Sequence, residues 1–222
     1  MVLLALAFVI LILWRLFNAL PGQSYTVTRS KTKSLGVFLG SGGHTSEALT
    51  LISTLDFNRY SPRTYVISEG DSLSAQKASD LESAKAATVP RDKYNIVTIP
   101  RARRVHQPLL TTPPTAIYSL LSCIYRVTLA PILFPNPTRT FADVLILNGP
   151  GTCFVLCGAV YVNKFLGLPA PRLIYIESFA RVESLSLSGK LLYPFVDRQV
   201  RKIPASRPLI FLLDSWCSGR NY

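Results

Sequence analysis

Apolar and polar residues alternate along this chain in blocks, and the longest apolar block lies at the N-terminus. Met1 to Trp14 is uninterrupted apolar sequence, Arg15 breaks it, and Leu16 to Leu20 partly resumes it before Pro21-Gly22. At about 1.5 Å per residue, this run has roughly the length of one membrane span. We predict a transmembrane signal anchor over residues 1–21. A cleaved signal peptide and a helix lying in the membrane interface are the alternatives, and the lack of basic residues before the run disfavours the signal peptide.

Positive charge follows the apolar block instead of preceding it. The basic residues behind the block are Arg15, Arg29, Lys31 and Lys33. By the positive-inside rule, the part of the chain after the anchor is expected in the cytosol. Residues 22–34 are polar and basic and predict a linker.

From residue 35 onward, short apolar runs alternate with segments of helical spacing. The predicted strands are Leu35–Gly40, Arg63–Ser68, Tyr94–Ile99, Val144–Leu147 and Arg172–Ile176. The predicted helices are Thr45–Leu55, Ser74–Ala87, Thr115–Phe134 and Thr152–Phe165. Nearly all-apolar strands that alternate with helices indicate a parallel sheet covered on both faces. We therefore predict an α/β, doubly wound Rossmann-like domain over residues 35–197, followed by a tail at residues 198–222.

The helix predicted at Thr115–Phe134 is apolar on both faces. It is either a buried helix or one that lies on the membrane through an apolar face, and the second reading is narrowly preferred. Arg126 is compatible with either reading.

Charge and cysteine content narrow the partners and the chemistry. The net charge is +12, from 24 Lys and Arg against 12 Asp and Glu, which favours phosphate groups, an anionic membrane face or nucleic acid over a merely solvated basic surface. The four cysteines form neither a disulfide framework nor a zinc pattern, and Cys153 and Cys157 are interpreted as small core residues. We predict no metal and no cofactor, and a reducing compartment.

Ligands of doubly wound folds bind at the carboxyl ends of the strands, which here are five loops. These loops are Ser41–His44, Glu69–Asp71, Arg101–His106, Asn148–Gly151 and Glu177–Arg181. The first is glycine-rich and precedes a helix, whose N-terminal N–H groups suit a phosphate. It is neither G-x-G-x-x-G nor a P-loop, and a purely structural turn is the alternative. The predicted phosphate- or acceptor-binding residues of this loop are Gly40, Ser41, Gly42, Gly43 and Thr45.

Within the first loop, Gly42 and Gly43 are expected to leave room for a diphosphate. A methyl group at Gly43 would intrude on a phosphate oxygen or demand a forbidden φ. His44 follows as a general base, a phosphate partner or only a helix-start residue.

The remaining loops carry further candidates. The basic cluster after the third strand, formed by Arg101, Arg103 and Arg104, suits a diphosphate or anionic lipid heads, or is a solvated loop. The Asn148–Gly151 turn either contacts a phosphate or a sugar, or has these residues only because they favour a tight turn. Glu177 is the best carboxylate candidate for catalysis, although pairing with its neighbours would make it structural. The predicted binding residues in these loops are Arg101, Arg103, Asn148, Gly149, Gly151, Ser178 and Arg181.

The order of these segments resembles a known family, the Alg-fourteen family. The N-terminal anchor is followed by five matching motifs, so the similarity runs from the anchor to about Asp197. The motifs are Leu39-Gly40-Ser41-Gly42-Gly43-His44-Thr45-Ser46-Glu47, Tyr65-Val66-Ile67-Ser68-Glu69-Gly70-Asp71, Ile99-Pro100-Arg101-Ala102-Arg103, Asn148-Gly149-Pro150-Gly151-Thr152 and Tyr175-Ile176-Glu177-Ser178-Phe179-Ala180-Arg181-Val182. Any one motif is weak, but the ordered set is specific.

The resemblance implies a membrane-anchor subunit of a UDP-N-acetylglucosamine transferase. It implies the N-terminal, acceptor-side half of a GT-B glycosyltransferase, inactive without a cytosolic subunit that binds the UDP-sugar. The pair would add the second GlcNAc to GlcNAc-diphospho-dolichol at the endoplasmic reticulum membrane, with the nuclear envelope as a further location and no nucleic acid partner.

Two segments depart from the family pattern. His106, in Val105-His106-Gln107, stands where a glycine is expected, and the ending from residue 198 lacks the expected aromatic-rich strand. Two other functions compete with the half-transferase. A nucleotide-cofactor oxidoreductase is disfavoured by the glycine spacing, whereas a recruiting scaffold without a part in the chemistry remains the main alternative.

Overall fold

The computed structural model describes residues 1–21, 32–86, 94–104, 107–134, 140–149, 151–178 and 185–200. Its strands are β1 (Lys33–Leu39), β2 (Tyr60–Ser68), β3 (Tyr94–Ile99), β4 (Val144–Asn148), β5 (Arg172–Ile176) and β6 (Arg198–Val200). Its helices are α1 (Val2–Ala19), α2 (Gly43–Ser53), α3 (Ser72–Lys85), α4 (Thr112–Ile124), α5 (Ala130–Leu133), α6 (Thr152–Leu166) and α7 (Leu187–Leu192).

All strand pairs are parallel, and the sheet order is β3-β2-β1-β4-β5-β6. Every residue of β1 and β4 is buried because both faces of the sheet are covered. One apolar cluster includes Ala48 and Ile52 of α2, and the other includes Cys123 of α4 and Leu156 of α6. The predicted Rossmann-like parallel sheet is therefore confirmed, and Cys153 and Cys157 are core residues as predicted.

The sheet extends beyond the predicted range at both ends. It begins at Lys33, and it includes Arg198–Val200 as an edge strand beside β5. Neither α7 nor β6 was predicted, because a six-residue helix and a polar three-residue strand leave almost no periodic pattern. The helix predicted at Thr115–Phe134 runs from Thr112 to Leu133, with a π-turn at Tyr125–Leu129 joining α4 to α5.

In the part of the chain that the structure describes, two helices are long and apolar enough to cross a membrane by length and composition. They are α1, with a mean hydropathy of 2.3, and the α4–α5 segment Thr112–Leu133, with 1.6. Among the α1 residues only Ala19 is buried. The end of α1 packs against α6, and Arg15 Nη1 lies 2.6 Å from where a β-carbon at Gly167 would sit.

Side-chain hydrogen bonds join the starts of the two central strands. Ser34 N and Oγ donate to Asp143 Oδ2 at 2.7 and 2.8 Å, and Asp143 N donates back to Ser34 Oγ at 2.9 Å. These two residues are 109 positions apart in the chain. The contact fixes the register of β1 against β4, and therefore the position of the loops at the other ends of these strands.

A buried ion pair fastens α3 to β2. Arg63 donates from Nε to Glu82 Oε1 at 2.6 Å and from Nη2 to Glu82 Oε2 at 2.8 Å. Tyr65 Oη donates to Glu82 Oε1 at 2.8 Å. Burial, together with the Glu82 charge, raises the pKa of Tyr65 well above its usual range. The two charges compensate each other inside the fold, so neither is left without an opposite charge.

Candidate functional site

Two glycine loops meet where β1 and β4 end side by side. This is the point at which the sheet order reverses, since α2 and α6 cover opposite faces. Gly40 N donates to the Asn148 carbonyl at 3.1 Å. A β-carbon on Gly40 would lie 2.7 Å from the Asn148 carbonyl oxygen and 3.0 Å from Gly149 Cα. Only glycine permits this approach, so the two predicted loops form one site.

The first loop turns sharply at Gly42 and then begins α2. Gly42 has φ +71° and precedes the helix, whereas Gly43 is the first helical residue. A β-carbon at Gly43 would have no heavy atom of the described residues within 4 Å. The expectation of a forbidden φ at Gly43 is therefore wrong: the left-handed backbone belongs to Gly42. The space beside Gly43 is open, so neither the backbone conformation nor packing among the described residues requires a glycine there.

Thr45 anchors the loop from beneath. Its side chain is buried, and its hydroxyl donates to the Gly40 carbonyl and shares a hydrogen bond with Ser74 Oγ at 2.6 Å. Ser74 Oγ in turn donates to Asp71 Oδ2 at 2.8 Å. The hydroxyl of Thr45 is thus used within the protein, where it holds the loop shape, and the Thr45 side chain does not face the ligand space.

His44 stands over the junction of the two loops. Its side chain is 33% exposed, and its Nδ1 atom lies 3.8 Å from Glu47 Oε2. The β-carbon position of Gly149 is 3.8 Å from His44 Cγ. Glu47 Oε1 accepts a hydrogen bond from Ser178 Oγ at 2.9 Å. The structure therefore brings the predicted residues His44 and Ser178 together through Glu47.

Sequence reasoning assigned no role to Glu47, although the residue lies in the quoted motif. The available signal was its position three residues after His44, which places both side chains on one side of the first helical turn. A carboxylate beside an imidazole can orient the ring.

Asn148 contributes an unusual buried amide to the site. The residue is fully buried, and neither Oδ1 nor Nδ2 has a hydrogen-bond partner among the described residues. Buried amides are normally paired, so the unpaired polar atoms of Asn148 distinguish this turn. Gly149 at φ +116° and Gly151 at φ +59° shape the same turn, with Gly151 preceding α6. Pro150 lies outside the described residues.

Glu177 is placed differently from the prediction. It is buried, and its Oε2 accepts hydrogen bonds from Ser186 N and Ser186 Oγ, both at 3.1 Å. Ser186 precedes α7, so these contacts hold the start of that helix. Ser178 does not pair with Glu177 but bonds to Glu47 instead, because consecutive residues point to opposite sides. Arg181 lies outside the described residues.

The basic loop after β3 uses its arginines in different ways. Arg103 donates from Nε and Nη2 to the Gln107 carbonyl at 3.2 and 2.9 Å. Arg101 and Arg104 instead line a cavity of about 390 Å³, together with Glu69 and Tyr118. Arg104 was noted in the cluster but not assigned, and the structure gives it the position expected of Arg103. His106 lies outside the described residues.

Metal ligands were not predicted. In the ranges that the structure covers, no three His, Cys, Asp or Glu side chains gather as they would around a metal ion.

The fold and site together define a parallel α/β protein with two glycine loops at the switch point of its sheet and an N-terminal helix long and apolar enough to span a membrane. Comparison identifies the family. The profile of the family "Oligosaccharide biosynthesis protein Alg14 like" matches residues 35–207. The chain belongs to the Alg14 family, and the resemblance carried by the motifs is confirmed.

Named relatives match over most of their length. The "UDP-N-acetylglucosamine transferase subunit ALG14" of Cryptococcus neoformans (strain JEC21) is 50% identical over 194 residues, covering 86% of this chain and 84% of the relative. The Schizosaccharomyces pombe subunit is 49% identical, covering 75% and 73%. The Homo sapiens subunit is 38% identical, covering 82% and 81%.

A solved structure also resembles the fold at a low level. Arabidopsis thaliana UGT89C1, complexed with quercetin, matches with a TM-score of 0.36 and 15% identity, over 66% of this chain and 35% of that chain.

Proposed function

We propose that this chain is the membrane-anchoring, acceptor-side subunit of a two-subunit UDP-GlcNAc transferase. The observation that carries the proposal is the family match over residues 35–207, which includes both glycine loops. The relatives are named as subunits of a UDP-N-acetylglucosamine transferase. The reaction is addition of the second GlcNAc to GlcNAc-diphospho-dolichol in N-glycan precursor synthesis.

One Rossmann-like layer is half of a GT-B enzyme, whose active site lies in the cleft between two such layers. The described residues form a single sheet with one switch point. The other half is a cytosolic catalytic subunit that binds UDP-GlcNAc, and this chain recruits that subunit to the membrane of the endoplasmic reticulum, which continues into the nuclear envelope. The chain alone is inactive.

Residues 1–21 anchor the chain and residues 22–34 link the anchor to the acceptor-side domain at residues 35–197. Arg198–Val200 add the edge strand, and the atypical tail follows. The apolar surface of α1, with the basic residue Arg15 near its C-terminal end and Lys33 after it, supports a single span with a cytosolic domain.

In this proposal the acceptor diphosphate lies against the start of α2. Gly42 and Gly43 keep side chains out of that space, and the free N–H groups of the helix start stabilise the negative charge. His44 accepts the proton of the acceptor hydroxyl as that oxygen bonds to the sugar carbon of UDP-GlcNAc, while UDP leaves with the bonding electrons. The buried amide of Asn148 is placed to hydrogen-bond an acceptor group.

A non-catalytic scaffold is the second candidate. One observation favours it: Glu177, one of the two predicted catalytic residues, is held by Ser186 within the fold. Under the scaffold hypothesis, substitutions in the glycine loops would change neither kcat nor KM.

The deciding experiment uses the full chain, purified with and without the UDP-GlcNAc-binding subunit. GlcNAc transfer from UDP-GlcNAc to a GlcNAc-diphospho-lipid should appear only in the mixture. Robust turnover by the full chain alone would refute the two-subunit arrangement. Normal kinetics of the His44→Ala mixture would favour the scaffold.

A further inference from the structure

The cavity after β3 is separate from the glycine-loop site. It lies at the ends of β2 and β3, where Glu69, Arg101 and Arg104 approach Tyr118 of α4. Since β3 is two strands from β1 in the sheet, the cavity is about 10 Å from the β1–β4 junction.

The loop that carries the two arginines is fixed to the start of α4. Thr115 Oγ1 donates to the Ala102 carbonyl at 2.9 Å, and Ser119 Oγ donates to the Pro100 carbonyl at 2.7 Å. Gln107 Oε1 accepts from Arg104 N at 2.8 Å, and Gln107 Nε2 donates to the Thr111 carbonyl at 2.7 Å. The cavity wall is therefore preorganised and does not depend on a ligand for its shape.

The charge of the cavity is net positive. Arg101 Nε is bound to the Glu69 carbonyl at 2.9 Å, which fixes the direction of its guanidinium. The guanidinium of Arg104 has no hydrogen-bond partner among the described residues and lines the cavity. Glu69 is the acidic side chain of the lining, so two positive groups face one negative group. An arginine pair in such an arrangement suits a phosphate.

An exposed apolar stripe begins at the cavity and follows α4 and α5. Its members recur every three or four residues and are between 43% and 66% exposed. They are Tyr118, Leu121, Tyr125, Leu129 and Ile132. The stripe is about 20 Å long at the rise of a helix. A cationic cavity at one end of an apolar stripe matches a lipid, with the phosphate in the cavity and the acyl chains along the helix.

We infer that this cavity binds the phosphate headgroup of a membrane phospholipid, whose acyl chains lie along the α4–α5 stripe. The site requires neither the sugar acceptor nor the catalytic partner. A lipid bound at this site would attach α4 to the membrane, in addition to the attachment through α1. Two attachment points fix the rotation of the domain relative to the membrane.

The test measures equilibrium binding of dioctanoyl phosphatidic acid to the detergent-solubilised full chain. Arg104→Gln should weaken binding roughly tenfold by removing a charge-assisted contact, and Glu69→Gln should strengthen it by removing the repulsion. The matched control Arg126→Gln removes the same charge from an exposed position about 12 Å further along the helix, and should change affinity less than twofold. Dioctanoylglycerol, which lacks the phosphate, should bind wild type and Arg104→Gln equally.

Each other outcome overturns the inference. Equal losses in Arg104→Gln and Arg126→Gln would show diffuse surface attraction, and inorganic phosphate competing as well as the lipid would show a simple anion site. Loss of lipid binding when the catalytic subunit is added would assign the stripe to a protein interface. If lipid binding is unchanged but the acceptor KM of the two-subunit enzyme rises in Arg104→Gln, the cavity belongs to the acceptor diphosphate.

Discussion

Ser178 Oγ donates a hydrogen bond to Glu47 Oε1 at 2.9 Å, linking the loop after β5 to the first turn of α2. The other carboxylate oxygen, Oε2, lies 3.8 Å from His44 Nδ1. Glu47 is therefore held on one side by Ser178 and faces the imidazole on the other. We interpret it as a positioning residue that orients His44.

Replacement of Glu47 should lower kcat of the two-subunit enzyme more than it changes KM. Glu47→Gln keeps the size but removes the charge beside His44, so we expect a loss of roughly tenfold, below the roughly 10²–10⁴-fold expected for His44→Ala. Ser178→Ala should cause a smaller loss, because the carboxylate remains. Thr50→Ala, on the exposed side of α2, is the matched control and should behave as wild type. An unchanged kcat for Glu47→Gln would show that Glu47 does not position His44 for catalysis.

The two loop glycines should respond differently to alanine. Gly42→Ala places a side chain at φ +71° and should destabilise the fold by about 1–3 kcal/mol. Gly43→Ala has open space and a helical backbone, so the unfolding midpoint should be unchanged or slightly raised. If the acceptor diphosphate lies there, Gly43→Ala should nevertheless raise acceptor KM or lower kcat. Thermal unfolding and two-substrate kinetics separate the two effects, and wild-type kinetics for Gly43→Ala would count against a phosphate at this helix start.

Loss of one partner of the buried ion pair should be severe. Glu82→Gln leaves the Arg63 charge buried without a carboxylate, and we expect a loss of about 3–5 kcal/mol in the free energy of unfolding. Tyr65→Phe removes one hydrogen bond and should cost about 1 kcal/mol. Lys77 lies on α3 like Glu82 and makes an exposed hydrogen bond to Ser46 of α2. The change for Lys77→Gln should stay within about 0.5 kcal/mol. Urea titrations in detergent measure the free energy of unfolding of all three variants. Equal losses in the three would show that the Arg63–Glu82 ion pair does not stabilise the fold as a buried pair.

Stability should fall on the alkaline side. Burial raises the pKa of Cys157 to about 12, and burial likewise raises the pKa of Cys153. An acid whose pKa is higher in the folded state ionises first in the unfolded chain, so its contribution is complete below about pH 8.5 and declines above it. Because of Cys157 alone, the free energy of unfolding should fall by about 2 kcal/mol between pH 8.5 and pH 10. Urea unfolding from pH 7.5 to 10 should show this slope, with a shallower one in Cys157→Ala.

The domain after α1 should be accessible from the cytosolic side. The prediction follows from the basic residues Arg15 and Lys33, which come after the apolar run Met1–Trp14, whereas the only charge before that run is the N-terminal amine. Protease added to sealed microsomes should degrade the domain without detergent. Glycans on an engineered acceptor site after residue 32 would place it in the lumen and contradict the prediction.

Much of the fold followed from pattern alone, because buried parallel strands such as β1 and β5 are continuous apolar runs. The polar strand β6 carries no such pattern and is defined only by its pairing with β5. The site was predictable to the level of loops, since strand ends determine which loops meet. Side-chain directions were not predictable: Glu177 and Ser178 are neighbours, yet one bonds to Ser186 and the other to Glu47. The same limit explains why Arg104, and not Arg103, faces the cavity.

The pairing of β1 with β4 has a consequence for how the protein is made. β1 finds its neighbour β2 within a few tens of residues, but its other neighbour begins only after Asp143, 109 residues beyond Ser34. At about 5–20 residues per second, the ribosome needs roughly 5–20 s to deliver that strand. During this interval the backbone N–H and C=O groups on one edge of the central strand have no β4 partner. The second half of the sheet therefore cannot form until the chain has been synthesised beyond Asn148.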